Sequence, residues 1–279
     1  MKKKVFLLLF IFVTLINVIG FYIFNQIIFN SNLHKTISNS LSGAKGKYSV
    51  AVEDLKNGKK ESLYGDKVFA VGSLYKLWVM AEAHRQIQEG LLSKDEVLSE
   101  EVSVLNKDFN IDPESAELTK GVITLTVRDA LKQMITISHN YAALLLTKKI
   151  KLSNVANFLE INGFKNSHVG NVPTSTADNI ATFFEKLYKG ELANAQYTNE
   201  MLALLKAQSL NNKLPKYLPK GTVIAHKTGE IDYLSHDAGI VYAKNRDYVI
   251  VVLSESDYPP GAEERISQIS KSVFDYFTK

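Results

Sequence analysis

Three short groups of residues in this chain have side chains that could do chemistry together. In Gly72-Ser73-Leu74-Tyr75-Lys76 a serine and a lysine lie three positions apart at the start of an amphipathic stretch. On a helix both would project from one face. A serine hydroxyl becomes an effective nucleophile when a base takes its proton, and a lysine serves as that base only if burial or neighbouring cations lower its pKa. The start of a helix adds positive potential and free backbone N–H groups. Ser73 is therefore the expected nucleophile and Lys76 its expected base.

The spacing is not specific by itself, because Ser42-Gly43-Ala44-Lys45 reproduces it in a polar stretch with no core around it. Ser138-His139-Asn140 lies inside the apolar run Leu131 to Leu146, where polar residues on a buried helix need partners. Alone, that pattern reads equally as a helix kink or a satisfied buried hydrogen bond, and Ser209-Leu210-Asn211 repeats it in an expected loop. Lys227-Thr228-Gly229 occurs once, on an expected strand. It offers a cation, a hydroxyl and a residue without a side chain, as a substrate carboxylate lying along the strand would need.

In this order and setting the three groups resemble those of the penicillin-recognising serine enzymes, the class A β-lactamases and the penicillin-binding DD-peptidases. The resemblance runs from about residue 47 to the C-terminus. It includes Phe69-Ala70-Val71-Gly72 before the serine and Ser235-His236-Asp237-Ala238-Gly239 after the third group, and is closest to β-lactamase-like proteins of class A type. It implies Ser73 as the acylated nucleophile, Lys76 as general base, Ser138 as proton donor to the departing nitrogen and Asn140 as positioner of Lys76 and substrate. Lys227 and Thr228, followed by Gly229, would hold the substrate carboxylate. The backbone N–H groups of Ser73 and Glu230 would bind the oxyanion. A β-lactam or a peptidoglycan stem peptide is the implied acyl donor, with no metal or organic cofactor.

Two departures qualify the resemblance. Class A enzymes use a loop carboxylate between the second and third groups to activate the water that releases the acyl-enzyme, whereas Ile161 to Ala177 contains no Asp or Glu. Glu160 is expected on a helix surface, and His168 is a remote substitute for the missing base. Acylation with slow release is therefore expected. His139 also stands where the β-lactamases commonly have an acidic residue. The rival readings are a DD-peptidase or related peptidoglycan acyl hydrolase, and a non-hydrolytic β-lactam sensor or cell-wall-binding module. His236 and Asp237 leave a Ser-His-Asp triad open as well, since its members need not be adjacent. The six histidines show no metal-ligand spacing, so no metal site is expected.

Strands are expected at both ends of the chain and helices between them. A hairpin, Lys47 to Leu55 and Lys59 to Tyr64, turns at Asn57-Gly58. Helices are expected over Ser73–Glu89, Thr126–Lys149, Ser153–Ile161, Thr176–Tyr188 and about Gly261 to Phe277, with Leu77, Trp78, Val79 and Met80 in the core. Strands are expected at Val223–His226, Ala238–Lys244 and Tyr248–Leu253. This order predicts an α/β (α+β) fold of β-lactamase/transpeptidase-like type. In it an antiparallel sheet forms from the N- and C-terminal segments, a helical lobe is inserted between them, and the active site lies between sheet and lobe.

Composition sets the remaining bounds. With 279 residues, 46% hydrophobic and 22% charged, the chain can bury a substantial core. Of its net charge of +4, Lys2, Lys3 and Lys4 supply three, so the basic balance does not point to nucleic acid. The absence of cysteine excludes disulfides, a thiolate nucleophile and a lipidated cysteine. The three lysines precede Val5 to Phe24, whose polar members are Thr14 and Asn17, a stretch long enough to span a membrane. An uncleaved anchor over residues 1–29 is expected, with a cleaved signal at Val18-Ile19-Gly20 as the alternative, a linker over 30–46 and a catalytic domain over 47–279. The lysines would keep the N-terminus cytoplasmic and send that domain outside. The oligomeric state is left open.

Overall fold

The computed structural model describes residues 32–244 and 246–279. The expected membrane anchor lies outside them. Among the described residues no helix is long and apolar enough to cross a membrane.

The sheet is built from the two ends of the chain. Strands β1 (Lys47–Asp54) and β2 (Lys59–Leu63) form the expected hairpin, in which Gly58 alone takes the positive φ, at 68°. Strands β7 (Val223–Ile231), β8 (Leu234–Tyr242) and β9 (Tyr248–Glu255) complete a five-stranded antiparallel sheet in the order β2-β1-β9-β8-β7. The two ends meet where β1 pairs with β9, Lys47 opposite Glu255.

Strand β9 reads as an unbroken apolar run because both faces of the sheet are covered. Tyr248, Ile250 and Val252 point to a layer formed by α9 (Pro259–Thr278) and the helix α1 over residues 32–40. Val249, Val251 and Leu253 point the other way, into the main core shared with the helical lobe. On the first face the Tyr248 ring stacks on Phe277 with centroids 4.3 Å apart.

Helix α1 corrects the expectation of a linker over residues 30–46. Leu33 and Ile37, four positions apart among polar neighbours, are fully buried against that layer, and the guanidinium of Arg265 donates to the carbonyl of Ser40 at 2.8 Å. The domain therefore begins before Lys47.

The inserted lobe is mostly helical. A short ladder of β3 (Val68–Ala70) with β6 (Thr174–Thr176) ties it together on one side, and β4 (Val97–Glu101) with β5 (Val122–Thr126) on another. Its axis is α2 (Lys76–Gln88), whose Leu77, Trp78, Val79 and Met80 are at most 1% exposed. Around it stand α3 (Val102–Asp108), α4 (Val127–Thr136), α5 (Asn140–Ile150), α6 (Leu152–Ile161), α7 (Ala177–Lys189) and α8 (Ala195–Lys206). The side chain of Thr176 caps α7 by accepting from the N–H of Asn179, and Gly190 closes the helix in the left-handed conformation.

Two expected helices are shorter than their apolar patterns suggest, and both shortenings place site residues. The Ser73 stretch begins as a 3-10 turn over Gly72–Tyr75 before α2 starts at Lys76. The helix expected over Thr126–Lys149 breaks between α4 and α5, with Ser138 at φ 58°.

Candidate active site

The three groups converge where the sheet meets the lobe. Ser73 sits half-buried on the 3-10 turn, Lys76 opens α2, Ser138 occupies the break between α4 and α5, and Asn140 opens α5. Lys227, Thr228, Gly229 and Glu230 follow one another along β7. A cleft of about 500 Å³ opens here, with Gly72, Ser73, Glu117, Asn140 and Glu230 among its lining residues.

A continuous hydrogen-bonded chain joins the groups. Lys76 Nζ donates to the carbonyl oxygen of Ser138 at 2.6 Å and to Asn140 Oδ1 at 2.6 Å, and lies 3.2 Å from Ser138 Oγ. Lys227 Nζ donates to that same Oγ at 2.9 Å and to the carbonyl of Thr228 at 2.9 Å. Ser138 Oγ thus stands between two amines.

Both amines are fully buried. Desolvation, reinforced by the charge of Lys227, holds the pKa of Lys76 well below the ordinary lysine value. Desolvation also lowers Lys227, to about 7, against the opposing pull of Asp237 and Glu230. A neutral Lys76 has two N–H donors, which the Ser138 carbonyl and Asn140 Oδ1 accept. Its lone pair is left for the Ser138 hydroxyl beside it. The buried lysine required of a serine-activating base is present, and its side-chain bonds run to the second group rather than to Ser73.

Two glycines allow the strand to approach the serine. A Cβ on Gly229 would lie 2.6 Å from the carbonyl oxygen of Val71, and one on Gly72 would lie 3.2 Å from the backbone nitrogen of Glu230. Gly72 itself has a φ of 49°. This contact brings the backbone at Glu230 beside the turn that carries Ser73. The Glu230 carboxylate is tied to Lys213, which is fully buried and also lies 3.8 Å from Glu263.

The histidines take structural positions. His226 Nδ1 meets Asp237 Oδ1 at 2.9 Å, but its Nε2 faces Asn211 Oδ1 at 3.1 Å, so this His-Asp pair is directed away from Ser73. His236 Nδ1 accepts from the N–H of Ser254 at 3.0 Å, which leaves Nε2 to donate to the carbonyl of Ala70 at 2.8 Å. Desolvation lowers His236 to about 4. His139 Nδ1 accepts from the N–H of Ala142 and so caps α5. No Ser-His-Asp triad is assembled around Ser73 among the described residues.

The loop from α6 to β6 lines the cleft with Val169, Gly170, Asn171 and Pro173 and is bonded to the segment just before Ser73. The carbonyl of Pro173 accepts from the N–H of Val71 at 2.9 Å, Ser167 bonds Ser175, and His168 bridges to Thr174. Glu160 is exposed on α6.

Sequence reasoning missed two residues of this site. Lys213 holds the Glu230 side chain, and Glu117 lines the cleft and accepts from Asn140 Nδ2. Both act across long sequence separations, from segments that carry no motif.

Fold and site together define a serine hydrolase with a serine-lysine pair set between a sheet and a helical lobe. A family profile described as the beta-lactamase enzyme family matches residues 32–277, and the chain belongs to that family. Beta-lactamase VEB-1 of Pseudomonas aeruginosa is 24% identical over 275 residues, covering 88% of this chain and 90% of that one. The solved structure of PBP-A superposes with a TM-score of 0.78 at 26% identity, covering 88% of this chain and 96% of the other. A variant of PBP-A, solved as an acyl-enzyme complex with penicillin G, gives the same TM-score at 25% identity, with the same coverage of both chains.

Proposed function

We propose that this hydrolase is acylated by β-lactams at Ser73 and releases them slowly. The observation that carries this reading is the chain Lys227–Ser138–Lys76 at the cleft that Ser73 lines, in which one hydroxyl bridges two buried amines. Lys76 takes the proton of Ser73 as Oγ attacks the lactam carbonyl, and the new C–O bond forms. The oxyanion is held by the N–H groups of Ser73 and Glu230. As the C–N bond breaks, Ser138 gives its proton to the departing nitrogen and is reprotonated from Lys76. Lys227 and Thr228 hold the substrate carboxylate at the strand, where Gly229 leaves room for it, and Asn140 orients both Lys76 and the substrate.

Slow release follows from the loop between α6 and β6, residues 162–173, which offers no carboxylate to activate water. That same observation favours a second reading, a penicillin-binding DD-peptidase or peptidoglycan acyl hydrolase. Residues 1–29 are proposed to anchor the chain in a membrane, with the catalytic domain outside the cytoplasm. Protease accessibility in intact cells tests that placement.

The central experiment incubates the protein with fluorescent penicillin and follows label gain and loss by gel and mass spectrometry. Label on Ser73 that persists for many minutes is expected, and Ser73→Ala should take up none. Rapid loss of label would overturn slow release, and unchanged labelling of Ser73→Ala would overturn the nucleophile.

A further inference from the structure

The cleft is lined by three carboxylates, Asp108, Glu117 and Glu230, and two of them are neutralised by ion pairs. Asp108 is paired with Lys148 at 2.7 Å, which also pairs with Glu100, and Glu230 is paired with Lys213. Glu117 has no cationic partner within ion-pair distance among the described residues. Its side chain accepts one hydrogen bond, from Asn140 Nδ2.

That bond has a direction. Asn140 presents Oδ1 to Lys76 and Nδ2 to Glu117, so the carboxylate fixes which way the amide faces and stands at its donor end. A substrate group positioned by Asn140 binds that same donor end through the second N–H, and so lies against Glu117. The nearest amine is Lys76, buried at the other end of the Asn140 amide, where Glu117 partly offsets the lowering of its pKa by burial. The lysines that line the cleft itself are distant. Lys148 and Lys151 fall eight and eleven residues beyond Asn140 along α5 and its end, about 12 and 16 Å away at the helical rise. Apolar side chains, among them Phe109, Ile111, Val169 and Ile231, provide much of the rest of the lining.

We propose that Glu117 is a specificity-determining residue, which favours acyl donors whose side chain carries an ammonium group next to the amide that Asn140 positions and disfavours those with a carboxylate there. The attraction acts across a solvent-exposed edge, which sets its size at roughly three- to fivefold in acylation rate, declining as salt screens it. The proposal rests on acylation of Ser73 by β-lactams.

The test uses three penicillins that share a phenylacetyl side chain and differ at its α-carbon, which bears hydrogen, an ammonium group or a carboxylate. Second-order rate constants for acylation are measured by competition with fluorescent penicillin, at low and high salt. The expected order at low salt is ammonium, then neutral, then carboxylate, with the spread narrowing at high salt. Glu117→Gln should collapse the spread and Glu117→Lys should reverse it, which a merely structural role would not do. Equal rates in the unaltered protein, or an unchanged order in Glu117→Lys, would overturn the role of Glu117 alone. Failure of all three compounds to label Ser73 would overturn the acylation reading and this proposal with it.

Discussion

Lys227 and His236 show how burial converts side chains on neighbouring strands into pH-dependent ones. Lys227, lowered to about 7, loses its charge in mildly alkaline solution and with it the hold on a substrate carboxylate. The acylation rate at subsaturating β-lactam should therefore fall above about pH 7, and Lys227→Arg should remove that alkaline fall, because a guanidinium keeps its proton. His236 acts on stability instead. Its folded pKa of about 4 lies below the unfolded value of about 6.5, so the unfolded chain takes up the proton first as pH drops. Stability from this group is intact above about pH 6.5 and is lost progressively down to pH 4, by about 3 kcal/mol in all. Urea midpoints from pH 7 to pH 4 should fall more steeply for the unaltered protein than for His236→Asn. The three motifs were legible in the sequence because each is local. Glu117 and Lys213 were not, since each meets its partner 23 and 17 positions away across a fold that had yet to be known.

At the scale of elements, the site depends on a strand passing unusually close to a turn. Gly229→Ala would place a methyl group 2.6 Å from the carbonyl oxygen of Val71, and backbone cannot yield there as a flexible side chain would. Strand β7 should move away from the Ser73 turn, separating the two backbone N–H groups proposed to bind the oxyanion. A loss of about 10²–10³ in acylation rate is expected, as for removal of one oxyanion donor, with Ser73 still in place. Stopped-flow acylation of the variant checks this. The elements themselves were only partly readable. The hairpin, α7 and α9 follow from turn, cap and period signals, whereas the break at Ser138 lies within an apolar run that reads as one continuous helix. Strand β8 extends through Ser235, His236 and Asp237, and the side chains of His236 and Asp237 tolerate burial because Ala70, Ser254, Leu214 and His226 satisfy them.

For the molecule as a whole, α1 decides where the domain starts. Leu33 and Ile37 are fully buried on the face of the sheet opposite the cleft, so Leu33→Ala or Ile37→Ala should each cost about 2–5 kcal/mol, read as a lower urea midpoint. A chain beginning at Lys47 should be less stable still, although it keeps every residue of the cleft. This helix escaped sequence reading because its two apolar residues are isolated among Asn, Ser, Lys and Thr. The pairing of β1 with β9 governs the order in which structure can form. Lys47 and Glu255 are 208 positions apart, and the sheet cannot close until the last strand has left the ribosome. The helical lobe between them is held largely by nearer contacts and can gain structure first, while long-range strand pairing pays its loop-closure entropy late. In pulse-labelled hydrogen exchange during refolding, amides of α2 and α5 should gain protection before those of β1. Until that closure the strand carrying Lys227 has no fixed position beside Ser73, and the unfinished chain holds its nucleophile without the means to use it.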